Sequence, residues 1–276
     1  MKTVYIIGSL KNWKVIDLSN HLRKQFPGVE IFDSWISPGP EADDFWKKYS
    51  KLRGLTYREA LKDWSATHVF EFDKFHIDRS DAVVMYMPCG KSGHLELGYA
   101  IGQGKRGYVL FDDDSTKREV IYKLPKKVVS SVTELENELK LELENSKNKI
   151  LSEDKLTHSG DKKKICLIGD VTSEETIKKA SKMAEKIRGY GFDVIEDWHK
   201  LGPKDFDPKL LKECGITILY QPGSKLGHLE LGYAVGVGNK GYILFDKEPE
   251  TRWDVMYQFA SEICMNFEEF EKEIKK

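Results

Sequence analysis

Two glutamates, Glu96 and Glu230, sit in near-identical surroundings: GHLELGYAIGQGKRGYVLFD at 93–112 returns as GHLELGYAVGVGNKGYILFD at 227–246, identical at fifteen of twenty positions. Each follows a Pro/Gly loop that leaves a strand pattern, MPCGKSG in the first case. Each therefore falls in the first turns of a helix, where unpaired backbone amides favour an anion. That predicts a carboxylate ionised near neutral pH and held at the strand-end edge, the position of a nucleophile; a capping carboxylate fits the same location. Asp73 heads DKFHIDRSD, and Asp207 falls opposite it at the same 134-residue offset. A nucleophilic carboxylate with a second acidic group is the arrangement that displaces a leaving group from a sugar carbon through a covalent intermediate. Aspartate ahead of a short helical segment also serves as an N-cap, so Asp73 has two readings.

Other polar side chains converge on the same edge. Tyr5 stands on the first strand, where its hydroxyl would reach a carboxylate; a buried strand tyrosine would look the same. Gly8 and Ser9 end that strand, and Ser9 is a donor to a sugar or phosphate or else part of a plain turn. Ser92 and His94 belong to the loop and helix start before Glu96, with His94 either touching substrate or capping the helix. The histidines lack metal-ligand spacing, so no metal is expected. Gly98, Gly102 and Gly104 do not make a GxGxxG in its required strand–turn–helix position. GDKKKICLIGD lacks phosphate-loop spacing, so no cofactor is expected either. The repeated glycines suggest close helix-to-sheet approach or helix ends.

Stepping outward, the elements that must hold these residues alternate strand and helix. VYIIG is an apolar run ended by glycine, KVIDLSNHLRKQF is apolar at near-helical spacing, and VEIFD is a second strand. ICLIG, ETIKKASKMAEKIRGYG and DVIED repeat the order, and DAVVMYM and GYVLF have GITILY and GYILF as counterparts. The starts of the copies align (TVYIIGSL with KICLIGDV), and with a one-residue slip EVIYKL aligns with DVMYQF. Alternation of this kind predicts parallel sheets covered on both faces, with ligands at the strands' carboxyl ends. The chain is thus expected to be α/β, two flavodoxin-like (Rossmann-like) parallel-sheet domains from an internal duplication. Copy one spans 1–146, a lysine-rich linker 147–162, and copy two 163–276. Between Trp35 and Asp73 copy one is some 29 residues longer than copy two between Trp198 and Asp207. This aromatic-rich insertion is expected to form one or two helices, either walling a pocket or packing the core.

Bulk properties narrow the partners. With 44 basic against 45 acidic side chains, no global field draws nucleic acid or an anionic membrane. No apolar run approaches the roughly 20 residues that span a bilayer. Four well-separated cysteines and no Lys/Arg-flanked apolar leader give the expectation of a cytoplasmic protein.

On TVYIIGS, WSATHVFEFDKFHIDRSDAVVMYMP and GHLELGYAIGQGKRGYVLF, across about residues 3–112, the chain resembles the nucleoside 2-deoxyribosyltransferase family. The resemblance implies a flavodoxin-like fold and cleavage of a nucleoside or nucleotide N-glycosidic bond, with transfer of the glycosyl group to a second, free base. By position it makes Glu96 the nucleophile, Asp73 the aspartate that manages protons or holds the base, and Tyr5 the residue that orients the glutamate. Gly90 stands where the family commonly has a further aspartate, which leaves Ser92 or His94 to substitute and keeps N-glycohydrolysis open. A noncatalytic nucleotide-binding protein is the reading from another class. Copy two keeps Glu230 and Asp207 but has Cys166 in place of Tyr5 and lacks the insertion. The duplication then looks like a dimer fused in one chain, with copy two walling the copy-one pocket, and such pseudo-dimeric chains are compatible with homo-oligomers.

Overall fold

The computed structural model describes residues 1–111, 120–148, 160–170, 174–199, 207–250 and 253–275. Copy one runs β1 (Thr3–Ile7), α1 (Lys14–Gln25), β2 (Glu30–Phe32), α2 (Ala42–Leu52), α3 (Tyr57–Lys62), α4 (Trp64–Asp78), β3 (Ala82–Tyr86), α5 (Lys91–Gly102), β4 (Arg106–Leu110), β5 (Lys127–Val129) and α6 (Val132–Asn148). Copy two runs β6 (Asp161–Asp170), α7 (Glu174–Gly189), β7 (Asp193–His199), α8 (Pro208–Glu213), β8 (Cys214–Tyr220), α9 (Lys225–Gly236), β9 (Lys240–Leu244), β10 (Glu262–Cys264) and α10 (Phe267–Ile274). The expected linker is shorter at both ends, since α6 extends to 148 and β6 begins at 161; residues 149–159 lie outside the described residues.

Each copy builds a five-stranded parallel sheet, ordered β2-β1-β3-β4-β5 and β10-β9-β8-β6-β7. Both are the same doubly wound order, with the switch between the first and third strands of each copy. The physical cause is visible in β1 and β3, whose five residues are all buried: a strand covered on both faces must be continuously apolar. The insertion yields α2, α3 and most of α4, one helix more than expected. A capping box between Thr56 and Glu59 starts α3, and Asp63 caps α4.

The apolar cores explain how the copies join. Val4, Ile6, Leu18 and Leu22 pack on the outer face of the first sheet, and Ile165, Leu167, Ala184 and Ile187 on that of the second. The inner faces share one core that contains Tyr5, Met85, Leu95 and Leu97 together with Ile168, Leu219, Leu229 and Leu231. At its centre α5 and α9 lie against each other. A methyl added at Gly98 would stand 2.0 Å from the Leu229 carbonyl oxygen, and one at Gly232 would stand 2.1 Å from that of Leu95. Gly102 and Gly236 are in the same position against Tyr233 and Tyr99, each at 2.3 Å. The repeated glycines therefore serve a helix-to-helix approach across the copies, not the helix-to-sheet approach expected from sequence. Gly104 and Gly238 end the two helices at positive φ, 81° and 103°. No described helix is long and apolar enough to cross a membrane.

Candidate active site

A cavity of about 390 Å³ opens at the carboxyl end of β1, between α2, α4, α5 and the segment Asp254–Met256. Its lining includes Tyr5, Gly8, Ser9, Asp73, Ser92 and Glu96, six of the residues singled out in copy one. Asp73 and Glu96 are only 7% and 8% exposed. Each gets there by a different route. Tyr5 points inward from β1 and stacks on Phe32, with ring centroids 5.4 Å apart. Gly8 leaves no room for a side chain, because a methyl there would lie 2.8 Å from Val15 and 3.3 Å from Trp35.

Asp73 is not the cap of a short helix. It lies well inside α4, and Asp63 provides the cap. Its Oδ1 has no hydrogen-bond partner among the described residues. Burial, with the Asp43 carboxylate adding repulsion, pushes Asp73 up to about 7, against a counter-pull from hydrogen bonding with Tyr5. The Tyr5 hydroxyl is itself held well above its usual range by burial and by the charges of Asp73, Glu96 and Cys89.

Glu96 also departs from expectation. It is one turn beyond the helix start, on a buried face of α5, so the amide ends do not govern it. Burial raises its pKa well above the usual carboxylate range, and Asp73, Asp254 and Asp43 raise it further. Burial and these carboxylates thus push Glu96 toward its protonated form, the opposite direction from the ionised carboxylate expected from its position.

Three carboxyls in this cavity were not anticipated. Asp43 and Asp44 open the first turn of α2, at the exposed mouth. Asp254 comes from copy two, and its Oδ2 accepts a hydrogen bond of 2.7 Å from Ser92 Oγ. Burial raises its pKa, while the bonds from Ser92 and the Met256 amide oppose that shift. The insertion fixes Asp254 in place: Tyr57 Oη donates to its carbonyl at 2.9 Å and accepts from its amide at 3.1 Å. Tyr57 and Trp46 meanwhile pack on Trp253, at 5.3 and 6.0 Å between centroids. The insertion is accordingly both pocket wall and packing element. The alignment of EVIYKL with DVMYQF was the available signal for Asp254, but it marks an equivalence between copies and says nothing of which pocket the segment enters.

His94 is not part of the cavity lining. It is fully buried; Nδ1–H donates to the Gly90 carbonyl at 2.6 Å, and Nε2 meets the Tyr122 hydroxyl at 3.1 Å. Burial pushes it down to about 4, so the ring is neutral and local in role, which corrects the substrate-binding reading. His228 repeats this with Ser224 and Tyr257, at 2.6 and 2.8 Å. Ser9 lines the cavity while its carbonyl and Oγ accept from the amides of Asn12 and Lys11, so it is turn and wall at once.

The second constellation is not assembled in the same way. Glu230 is buried on α9. Asp207, however, is exposed and caps α8, accepting from the Lys209 amide at 2.9 Å. It does not stand as a counterpart of Asp73, because without the insertion there is no long helix to carry it inward. Residues 171–173 and 200–206, which follow β6 and β7 in copy two, lie outside the described residues. Among the described residues no group of three His, Cys, Asp or Glu side chains could hold a metal ion.

No family model matches the chain, and no curated protein matches it. Among solved structures, one described as an ABC sugar transporter (periplasmic sugar binding protein) from Legionella pneumophila is similar at 12% identity and a TM-score of 0.25, over 100% of this chain and 93% of that one. A likeness of that degree carries no functional argument.

Proposed function

We propose that copy one cleaves the N-glycosidic bond of a nucleoside or nucleotide through a covalent glycosyl-Glu96 intermediate, as in the nucleoside 2-deoxyribosyltransferases it resembles. The observation that carries this reading is the pair of buried carboxyls, Glu96 and Asp73, lining one cavity with Tyr5. Burial raises Glu96, and the Asp73 carboxylate raises it further, which links the two titrations. A site holding one proton between them has an acid for the departing base and a nucleophile for the anomeric carbon. Asp73, titrating at about 7, is the proton donor to the base. With that one proton on Asp73, Glu96 is the carboxylate of the pair, and its oxygen takes the anomeric carbon as the base departs with the proton and positive charge develops on the sugar. Tyr5 sits beside both and limits how they turn. Ser92, tied to Asp254, lines the same cavity and is the group we assign to the sugar.

The glycosyl group then passes to a second, free base, the transferase outcome, or to water, the hydrolase outcome. Adding a free base to the assay separates them, since only transfer makes a new nucleoside. The four free, buried cysteines suit the cytoplasmic setting we propose with this activity. The decisive measurement follows base release by Glu96→Ala and Glu230→Ala proteins, with intact mass recorded on a slow-turnover fluorinated nucleoside. We expect loss of at least about 10³-fold for Glu96→Ala only, and an adduct on Glu96. Equal losses in the two variants, or turnover with no adduct, overturn the reading. Saturable binding of nucleosides without turnover, unchanged in Glu96→Gln, identifies a noncatalytic nucleotide-binding protein instead.

A further inference from the structure

The charge inside the cavity is one-sided. Five carboxyls line it (Asp43, Asp44, Asp73, Glu96 and Asp254) against the two ammonium groups of Lys11 and Lys47. Lys47 is engaged with Asp44 at 3.9 Å, one turn along α2. The aromatic part of the wall is Tyr5, Trp35 and Trp46. Two buried polar atoms there have no hydrogen-bond partner among the described residues: Asp73 Oδ1 and Trp46 Nε1. An unmet acceptor and an unmet donor in one cavity are what a bound ligand satisfies. The acceptor belongs to a side chain more than nine-tenths buried.

We infer that this cavity selects a ligand whose ring carries a positive charge, so that its preferred substrates are glycosides of cationic, quaternised bases. Two physical arguments support this. Crowded carboxyls that repel one another are relieved either by a proton or by a cation, and an indole face adds attraction for a cation where water is excluded. The carboxyls do not group at metal-ligand spacing among the described residues, which favours a flat organic cation over a metal ion.

The chemistry is consistent with the cleavage proposed above, on which the substrate half of this inference rests. In a cationic N-glycoside the carbon–nitrogen bond breaks with its electron pair returning to the ring, so the base leaves neutral and requires no proton. The Glu96 carboxylate oxygen forms the new bond to the anomeric carbon. Positive charge moves from base to sugar within the same ring of carboxylates, and water later returns the sugar and restores the Glu96 carboxyl.

The test separates binding from reaction. Tryptophan fluorescence titrations of the full chain at pH 8 compare N1-methylnicotinamide with nicotinamide, two probes of similar shape that differ in charge. We expect the cation to bind about tenfold or more tighter, and Asp43→Asn, an exposed position at the mouth, to reduce that ratio several-fold. A ratio near one, or one that Asp43→Asn leaves unchanged, overturns the inference. Turnover of nicotinamide riboside and of inosine is measured in parallel. Cleavage of inosine with no preference for the cation removes this inference and leaves the glycosidic reading standing. A clear cation preference in binding with neither glycoside cleaved does the opposite.

Discussion

At the scale of single residues, the candidate site carries a cost in stability. Asp73 is buried and titrates at about 7 in the folded chain, against about 3.9 for an unperturbed aspartate. A carboxyl whose folded pKa is raised costs nothing below the unfolded value. As pH rises through the window from about 4 to about 7 the unfolded chain gives up its proton first, and stability is lost. That loss is on the order of 4 kcal/mol at pH 8. Asp73→Asn is therefore expected to raise the melting temperature at pH 8 and to change it little at pH 4, which scanning calorimetry at the two pH values checks. The same substitution removes a charge that holds Glu96 up. In the pH profile of residual activity its ascending limb should move to lower pH relative to wild type, and an unmoved limb would mean that the two carboxyls are not coupled. The shift of Glu96 runs opposite to the sequence expectation because the helix-start argument uses neighbours along the chain. Burial raises it first, and the groups that raise it further, Asp73, Asp254 and Asp43, come from α4, from copy two and from α2.

At the scale of elements, the insertion is the part that sequence conveyed least. Copy two shows that the fold closes without it, and its aromatic residues fit both core and pocket. The structure gives it both tasks: Trp46 and Tyr57 grip Trp253, while Asp43, Asp44 and Trp46 line the cavity. Helix α4 was hard to delimit because Trp64, Val69, Phe72 and Phe75 are exposed apolar residues, which blurs the amphipathic stripe and hid Asp73 inside a longer helix. The strands were legible because sheets covered on both faces demand unbroken apolar runs. Tyr57→Phe deletes both hydrogen bonds to the Asp254 backbone. Its expected cost is about 1–2 kcal/mol of stability, with a several-fold rise in KM and a smaller change in kcat, measured by steady-state kinetics and denaturant titration. The α5–α9 contact is less forgiving. Gly98→Ala drives a methyl to 2.0 Å from a backbone carbonyl and should cost about 3 kcal/mol or more, whereas Gly28→Ala, with open space around it, is the control that should leave the melting temperature within about a degree.

At the scale of the whole molecule, the duplication was plain in the sequence, but the sharing of one core by two sheets was not. Leu95, Leu97, Leu229 and Leu231 belong to a single apolar cluster that contains the inner faces of both copies. The chain is thus expected to unfold in one cooperative transition, with calorimetric and van't Hoff enthalpies in agreement; two resolved transitions would contradict a common core. Asymmetry is laid over this shared centre, since only copy one has Tyr5, the long α4 and the insertion, and copy two lends it Asp254. The helix pair at the centre also sets a rule for the chain's history. Because Gly98 abuts the backbone beside Leu229 and Gly232 abuts that beside Leu95, neither copy can change its stretch of helix without injuring the other. Fifteen of twenty residues have stayed identical there, while Tyr5 and Cys166 have parted company only one strand away. The seam is thus the place where the two halves must change together, while residues away from it are free to differ.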